Sequence, residues 1–151
     1  MTTPARGGTI LIAEDNAADR GLYVRVAAEQ NSRFDLRLVE DGEEALDYLE
    51  GRGKYANPAS RPCPDLLLLD IDMPRRNGWA VLEKVKTTPR LKTIPTVMLS
   101  GSNRSEDINR GYELGCSAYV TKPSELADFR RTLRCLTTYW LTCVSLPDDA
   151  Y

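Results

Sequence analysis

Residues 66–74 read LLLLDIDMP, four leucines followed by two aspartates one residue apart and then by a proline. A short continuous apolar run is typical of a strand that is covered by helices on both faces, in the middle of a parallel sheet. Asp70 then lies at the carboxyl end of that strand, where open α/β sheets bind their ligands. The stretch therefore predicts both the class of fold and the edge of the sheet that carries the function.

Strand and helix patterns alternate five times along the chain. Apolar or alternating runs predict the strands, and apolar positions three or four residues apart predict the helices between them. This order predicts one parallel sheet wound on both faces with right-handed crossovers, and the alternating run at residues 34–39 fits an edge strand. The predicted strands cover residues 9–13, 34–39, 66–70, 94–99 and 118–121, and the helices begin near residues 16, 41, 77, 105 and 124.

Length and composition predict one globular domain. The chain has 151 residues, of which 42% are apolar, enough for one sizeable core and too few for a second full domain. No apolar run approaches the roughly 18 residues of a membrane span, and the N-terminus lacks a signal peptide, so we expect a cytoplasmic protein without a membrane partner. The expected parts are a flexible tail at 1–8, the domain at 9–138 with a Gly- and Pro-rich surface insertion at 51–64, and a C-terminal extension at 139–151.

Three features of the composition exclude classes of function. The net charge of -2, without a basic arm, makes nucleic acid an unexpected partner. The chain has no histidine, which rules out a Ser-His-Asp triad and a phosphorylated histidine of its own. The cysteines at 63, 116, 135 and 143 form neither a CxxC pair nor a close cluster, so we expect small buried residues and not a zinc site or disulfides.

Polar side chains stand at the ends of four predicted strands. Singly, each could cap a helix, bond a turn or be solvated, but parallel strands bring their carboxyl ends to one edge of the sheet. These residues are Glu14 and Asp15 after the first strand, Asp70 and Asp72 at the third, Ser100 at the fourth and Lys122 at the fifth.

The charges of this cluster predict its chemistry. Two carboxylates about 4 Å apart repel by roughly 4 kcal/mol at an effective dielectric constant near 20, so the cluster requires a cation or bound protons. Oxygen ligands without histidine or a nearby cysteine favour Mg²⁺. An aspartate beside Mg²⁺ and a lysine can attack phosphorus and form an acyl phosphate, so the predicted reaction is phosphoryl transfer to Asp70.

These residues resemble the receiver domain of two-component response regulators. The resemblance covers nearly the whole chain and rests on the acidic pair after the first strand, on LLLLDIDMPRRNG with Gly78, on Ser100 and on YVTKP at the fifth strand. It implies a flavodoxin-like (βα)5 fold with strand order 2-1-3-4-5. It also implies a sensor histidine kinase as phosphodonor. It further implies a cis peptide bond between Lys122 and Pro123, because the free-energy difference between cis and trans is small only before proline.

The resemblance implies a role for each residue of the cluster. Asp70 would be the phosphoacceptor, with Lys122 and Ser100 as its catalytic partners, and Ser100 and Tyr119 would be the switch residues. The metal ligands would be Glu14, Asp15, Asp70 and the backbone carbonyl of Asp72. The regulator would catalyse only its own phosphorylation and dephosphorylation.

The insertion and the tail YWLTCVSLP resemble single-domain regulators that partner phytochrome-type histidine kinases. Such a protein signals by protein contact. Tyr139, Trp140, Leu141 and Val144 extend past a complete core and support two interpretations. They either form a homodimer interface with the fourth helix, fifth strand and fifth helix, or they pack on the same subunit.

The strongest rival is an enzyme. Asp70-Ile71-Asp72 also fits the DxD motif of haloacid-dehalogenase-type aspartyl-phosphate hydrolases, in which the second aspartate is an acid/base catalyst. Those enzymes usually carry DxD near the N-terminus and further metal-binding acids after the lysine. Here the acidic pair precedes Asp70, so the order of the residues favours the receiver, and the intact set of residues argues against a pure interaction module.

Overall fold

The computed structural model describes residues 8–30 and 34–148. Five parallel strands form one sheet in the order β2-β1-β3-β4-β5, so the predicted fold class and strand order are confirmed. The strands are β1 Gly8–Ala13, β2 Phe34–Val39, β3 Leu66–Asp70, β4 Thr96–Ser100 and β5 Ala118–Thr121. The helices are α1 Ala17–Glu29, α2 Gly42–Glu50, α3 Gly78–Thr87, α4 Ser105–Glu113 and α5 Leu126–Thr138.

The leucines of β3 pack on both faces of the sheet. Leu67 and Leu69 belong to the apolar cluster that α2 and α3 complete, whereas Leu66 and Leu68 belong to the cluster on the side of α1 and α5. All four side chains are inaccessible to solvent. Burying a leucine contributes about 1.5 to 3 kcal/mol, which explains why this central strand has no polar alternation.

Several boundaries differ from the prediction by a few residues. The strand predicted from Ile94 begins at Thr96, because the Ile94 N–H donates to the Leu91 carbonyl and closes a turn there. The fifth helix begins at Leu126, two residues after the predicted start. Gly8 belongs to β1 and not to the expected tail, whose other residues, 1–7, lie outside the described part of the chain.

The insertion at residues 51–64 packs on α2. The Tyr55 hydroxyl donates to Glu44 Oε1 at 2.8 Å, and the Tyr55 ring lies 5.0 Å from that of Tyr48 between centroids. The Tyr48 hydroxyl donates in turn to the Pro62 carbonyl at 2.6 Å. The insertion is therefore an ordered surface segment with two short 3₁₀ turns.

After α5 the chain continues into a π-helical turn, Tyr139–Cys143. Trp140 and Leu141 pack, partly buried, against the core cluster of α1 and α5. The Tyr139 ring meets Trp140 edge-on with centroids 5.6 Å apart, but it is 56% exposed. This part of the tail packs on its own subunit and leaves Tyr139 on the surface, while residues 149–151 lie outside the described part.

All four cysteines are free thiols. Only Cys116 is buried, whereas Cys135 and Cys143 are exposed, so the prediction of buried cysteines is wrong for these two. The reason is that α5 buries Phe129, Leu133 and Thr137 and turns Cys135 outward. Within residues 8–30 and 34–148, no helix combines the length and the apolar character that crossing a membrane requires.

Candidate functional site

Strand register brings the predicted residues to one edge of the sheet. Glu14 directly follows β1, Asp70 ends β3, Ser100 ends β4 and Lys122 directly follows β5. Asp70 pairs with Leu99, and Ser100 pairs with Thr121, so the last residues of neighbouring strands lie side by side. A cluster at the carboxyl ends of the strands is thus a direct result of parallel pairing.

Glu14, Asp15 and Asp70 form the carboxylate cluster. One oxygen from each of the three lies within 4.8 Å of the others. Glu14 is fully buried and Asp70 is 8% exposed, whereas Asp15 is exposed to solvent. Because three carboxylates this close repel one another and offer oxygen ligands only, the donor set fits a hard divalent cation.

The Lys122 ammonium bridges three carboxylates. Its Nζ lies 2.6 Å from Glu14 Oε1, 3.3 Å from Asp19 Oδ2 and 3.6 Å from Asp70 Oδ2. Burial lowers the pKa of Lys122, but Glu14 and Asp70 outweigh that effect and raise it above its ordinary value. Lys122 is therefore a permanent cation that is bound more closely to Glu14 than to Asp70.

Asp70 and Glu14 hold their protons differently. Burial and the hydrogen bond with Glu14 raise the pKa of Asp70 to about 8, against the smaller opposing effect of Lys122. Burial also acts to raise the pKa of Glu14, but the hydrogen bonds with Asp70 and Lys122 outweigh it and hold that pKa below its ordinary value. Without a cation, Glu14 is thus the anion and Asp70 retains a proton near neutral pH.

Two residues that the sequence did not single out complete the site. Asp19, in the first turn of α1, is the third carboxylate at Lys122. Tyr23, one turn later, is 3% exposed, and its hydroxyl donates to Glu14 Oε1 at 2.9 Å. Burial and then the Glu14 charge hold the pKa of Tyr23 far above its ordinary value, so the phenol remains a neutral donor.

Ser100 and Tyr119 both contact Ser102, in the loop between β4 and α4. Buried Ser100 accepts the Ser102 N–H through its Oγ at 3.1 Å. The half-buried Tyr119 donates its hydroxyl to the Ser102 carbonyl at 2.9 Å. Ser102 therefore joins the two side chains that the sequence assigned to the switch.

The turn after β5 differs from the prediction. The described residues contain no cis peptide bond, so the expected cis bond between Lys122 and Pro123 is wrong for this structure. The Lys122 N–H donates to the Ser100 carbonyl at 2.6 Å, and a trans peptide is the lower-energy form even before proline.

The loop after β3 approaches the strand so closely that it requires glycine. A Cβ on Gly78 would lie 2.3 Å from the Asp70 carbonyl oxygen, and the Gly78 N–H donates to the Ile71 carbonyl at 2.9 Å. The next residue, Trp79, is 8% exposed, and the Arg110 guanidinium of α4 lies 4.6 Å from its ring centroid. This cation–π contact connects the start of α3 to α4.

Asp72 lies at the rim of the site. Its side chain is exposed, and its backbone N–H donates to Asp70 Oδ1 at 3.3 Å. The two aspartates of the LLLLDIDMP stretch therefore occupy different environments, one nearly buried beside Lys122 and the other in solvent.

Comparison with known proteins agrees with this geometry. Residues 10–134 match the family model described as the response regulator receiver domain. The chain is 36% identical to the response regulator Rcp1 of Synechocystis sp., over 91% of this chain and 92% of that protein.

Two solved structures are similar over nearly the whole chain. The phosphorylated cyanobacterial phytochrome response regulator RcpA is 38% identical, with a TM-score of 0.88 over 95% of this chain and 100% of that chain. The Mn²⁺-bound form of Rcp1 is 34% identical, with a TM-score of 0.85 over 93% of this chain and 99% of that chain.

These matches decide between the two predicted families. The haloacid-dehalogenase alternative, which rested on the DxD motif and on the compatible order of Ser100 and Lys122, finds no support. The family match and the acidic pair that precedes Asp70 both follow the receiver pattern. The chain belongs to the response regulator receiver domain family.

Proposed function

We propose that this protein is a response regulator whose Asp70 carboxylate accepts a phosphoryl group from a sensor histidine kinase. The observation that carries the proposal is the position of Asp70, nearly buried and within 3.6 Å of the Lys122 ammonium in a cluster of two further acids. Positioning and charge stabilisation provide most of the catalysis in phosphoryl transfer. Because the chain has no histidine, the phosphohistidine must belong to a partner.

In the forward step, an oxygen of Asp70 forms a bond to phosphorus while the phosphorus–nitrogen bond of the donor breaks. The donor imidazole leaves and takes up a proton. Lys122 shifts from Glu14 towards the transferred group and neutralises its charge. In the later hydrolysis, which is a separate reaction, water attacks phosphorus and the bond to Asp70 breaks. Inorganic phosphate, the free Asp70 carboxylate and a proton are released.

We propose Mg²⁺ as the metal of this site. Its ligands would be the carboxylates of Glu14, Asp15 and Asp70, together with the backbone carbonyl of Asp72 that the resemblance to receiver domains implies. Bound there, the ion would supply positive charge to the transferring phosphoryl group. A relative described as Mn²⁺-bound supports a divalent ion, and the all-oxygen donor set favours magnesium.

The signal would leave the site through Ser102. If the Ser100 hydroxyl turns to a phosphoryl oxygen, the Ser102 N–H loses its partner, and the carbonyl that holds Tyr119 shifts with it. Ser100 and Tyr119 would then bias the loop between β4 and α4 between two arrangements. The outcome would be a changed surface at α4, β5 and α5.

The relatives support a partner class. RcpA is described as a phytochrome response regulator, and we propose a phytochrome-type kinase in the cytoplasm as the donor for this protein. We also propose a homodimer through α4, β5, α5 and the tail, because Tyr139 remains 56% exposed after its neighbours have packed on the core.

Intact mass tests the reaction. With Mg²⁺ and acetyl phosphate, we expect one labile phosphoryl adduct, which EDTA and Asp70→Asn each abolish. Asp72→Asn is the matched control: the exposed side chain does no chemistry here, so the adduct should form as in the unsubstituted protein. An adduct that survives Asp70→Asn, or multiple turnover of phosphate esters that requires Asp72, would overturn the proposal.

A further inference from the structure

We infer that Tyr23 is a positioning residue of the metal site and that its hydroxyl fixes the orientation of the Glu14 carboxylate. The inference rests on the proposed function, since it takes Glu14 as a metal ligand. Tyr23 lies on α1, outside the carboxylate cluster, and would touch neither the metal ion nor the phosphoryl group.

The two oxygens of Glu14 have different partners. Oε1 accepts the Tyr23 hydroxyl at 2.9 Å and the Lys122 ammonium at 2.6 Å. Oε2 accepts the backbone N–H of Asn16 at 3.3 Å, and Glu14 also has the hydrogen bond with the Asp70 carboxyl when no cation is bound. Oε1 is thus occupied by two good donors, so the geometry reserves Oε2 for a cation.

Tyr23 is the donor that stays when Lys122 moves. Lys122 Nζ lies 3.6 Å from Asp70 Oδ2, and we expect it to move away from Glu14 towards a phosphoryl group on Asp70. The Tyr23 hydroxyl is then the side-chain donor that remains on Oε1 within the described part of the chain. A fully buried carboxylate that loses both donors would be poorly oriented, and keeping its charge buried would cost free energy. The Tyr23 hydroxyl therefore matters most in the phosphorylated state.

The ring of Tyr23 is held in place by packing. Tyr23 is 3% exposed and belongs to the apolar cluster between α1 and α5. Its ring centroid lies 6.0 Å from that of Phe129 on α5. Tyr23→Phe keeps this packing and removes only the hydroxyl, which makes it a clean test of the hydrogen bond.

The experiment measures Mg²⁺ binding by titration calorimetry, with and without beryllofluoride as a phosphoryl analogue. We expect Tyr23→Phe to weaken Mg²⁺ binding about tenfold, as is typical when the hydrogen-bond partner of a metal ligand is removed. The loss should be larger with beryllofluoride, because Lys122 then no longer holds Glu14. A thermal unfolding curve in EDTA, expected to be nearly that of the unsubstituted protein, separates this loss from misfolding.

Tyr48→Phe is the matched control. Tyr48 is also a buried tyrosine whose hydroxyl has a partner, the Pro62 carbonyl, and it packs in the other core cluster. Its substitution should leave the Mg²⁺ affinity unchanged. An unchanged Mg²⁺ affinity in Tyr23→Phe would overturn the inference. Equal losses of affinity with and without beryllofluoride would overturn the claim that Tyr23 matters most once Lys122 has moved away from Glu14. If the unsubstituted protein binds no Mg²⁺, the proposed function fails, and this inference fails with it.

Discussion

Lys122 Nζ lies 2.6 Å from Glu14 Oε1 and is only 15% exposed in its side chain. This pair neutralises a carboxylate that has no access to solvent. Among the described residues, Lys122 is the basic side chain paired with these buried carboxylates, and the first prediction follows from removing it.

Lys122→Met should destabilise the metal-free protein by about 3 kcal/mol, because it leaves Glu14 charged and buried without its main partner. It should also slow phosphorylation by acetyl phosphate about 100-fold, the usual cost of one preorganised donor. Urea unfolding in EDTA and intact-mass kinetics measure the two effects. Lys54→Met, at a lysine 70% exposed and paired with Glu44, is the control and should cost less than about 1 kcal/mol.

The raised pKa of Asp70 predicts an unusual pH dependence. Its folded value of about 8 lies above the ordinary 3.8, so its contribution to stability is fully present below the ordinary value and is lost as the pH rises through 8. In EDTA, we expect the protein to lose about 2 kcal/mol from this group between roughly pH 6.5 and 9. Mg²⁺ should bind more tightly at the higher pH, because it then displaces no proton.

Urea unfolding of Asp70→Asn tests this sign. The substitution removes the titrating group, so its stability should fall less over the same interval of pH. Asp35→Asn, at an exposed position of the edge strand, should follow the unsubstituted protein. Parallel curves for the unsubstituted protein and Asp70→Asn would contradict the assignment of the proton to Asp70.

Gly78→Ala should destabilise the fold by about 3 kcal/mol and impair phosphorylation, because its Cβ would overlap the Asp70 carbonyl oxygen and force the backbone apart. Gly21→Ala is the matched control on α1, where a Cβ meets nothing within 4 Å. That change should stabilise the protein by about 0.5 to 1 kcal/mol through helix propensity. Thermal and urea unfolding measure the stability of both variants. Similar stability changes in the two would contradict the close approach of Gly78 to the Asp70 carbonyl.

The tail predicts a contrast between neighbouring aromatic residues. Trp140→Ala should destabilise the isolated chain by about 2 kcal/mol or more, because Trp140 packs on the core, whereas Tyr139→Ala should cost less than about 1 kcal/mol. If Tyr139 lies in a homodimer, its substitution should weaken the dimer in sizing experiments with beryllofluoride. A protein that stays monomeric with and without beryllofluoride would rule the dimer out.

The patterns that predicted the fold are those with short-range physical causes. Four leucines without polar alternation identified β3, and Asp41 and Gly51 marked both ends of α2, which the structure confirms with an N-cap bond to Glu44 and a left-handed glycine. The β4 start was missed because apolar residues continue into the preceding turn, and apolar content alone does not distinguish a turn from a strand.

The partners within the site could not be predicted as readily. In the sequence, Tyr23 is one more large residue on the buried face of α1, beside Leu22 and Val26, and Asp19 is one more acid in a first helical turn. Their roles depend on how closely α1 approaches Glu14 and Lys122, which is a tertiary distance. Periodicity identifies the buried face of a helix but not the atom that each side chain meets.

The contact between Trp79 and Arg110 has an optical consequence. The chain has two tryptophans: Trp79 is buried at the start of α3, after the loop that follows Asp70, and Trp140 lies in the tail. An indole that faces a guanidinium at 4.6 Å should change its emission when α4 moves. Variants that keep one tryptophan each would let fluorescence follow the start of α3 and the tail separately, in real time and without an attached dye.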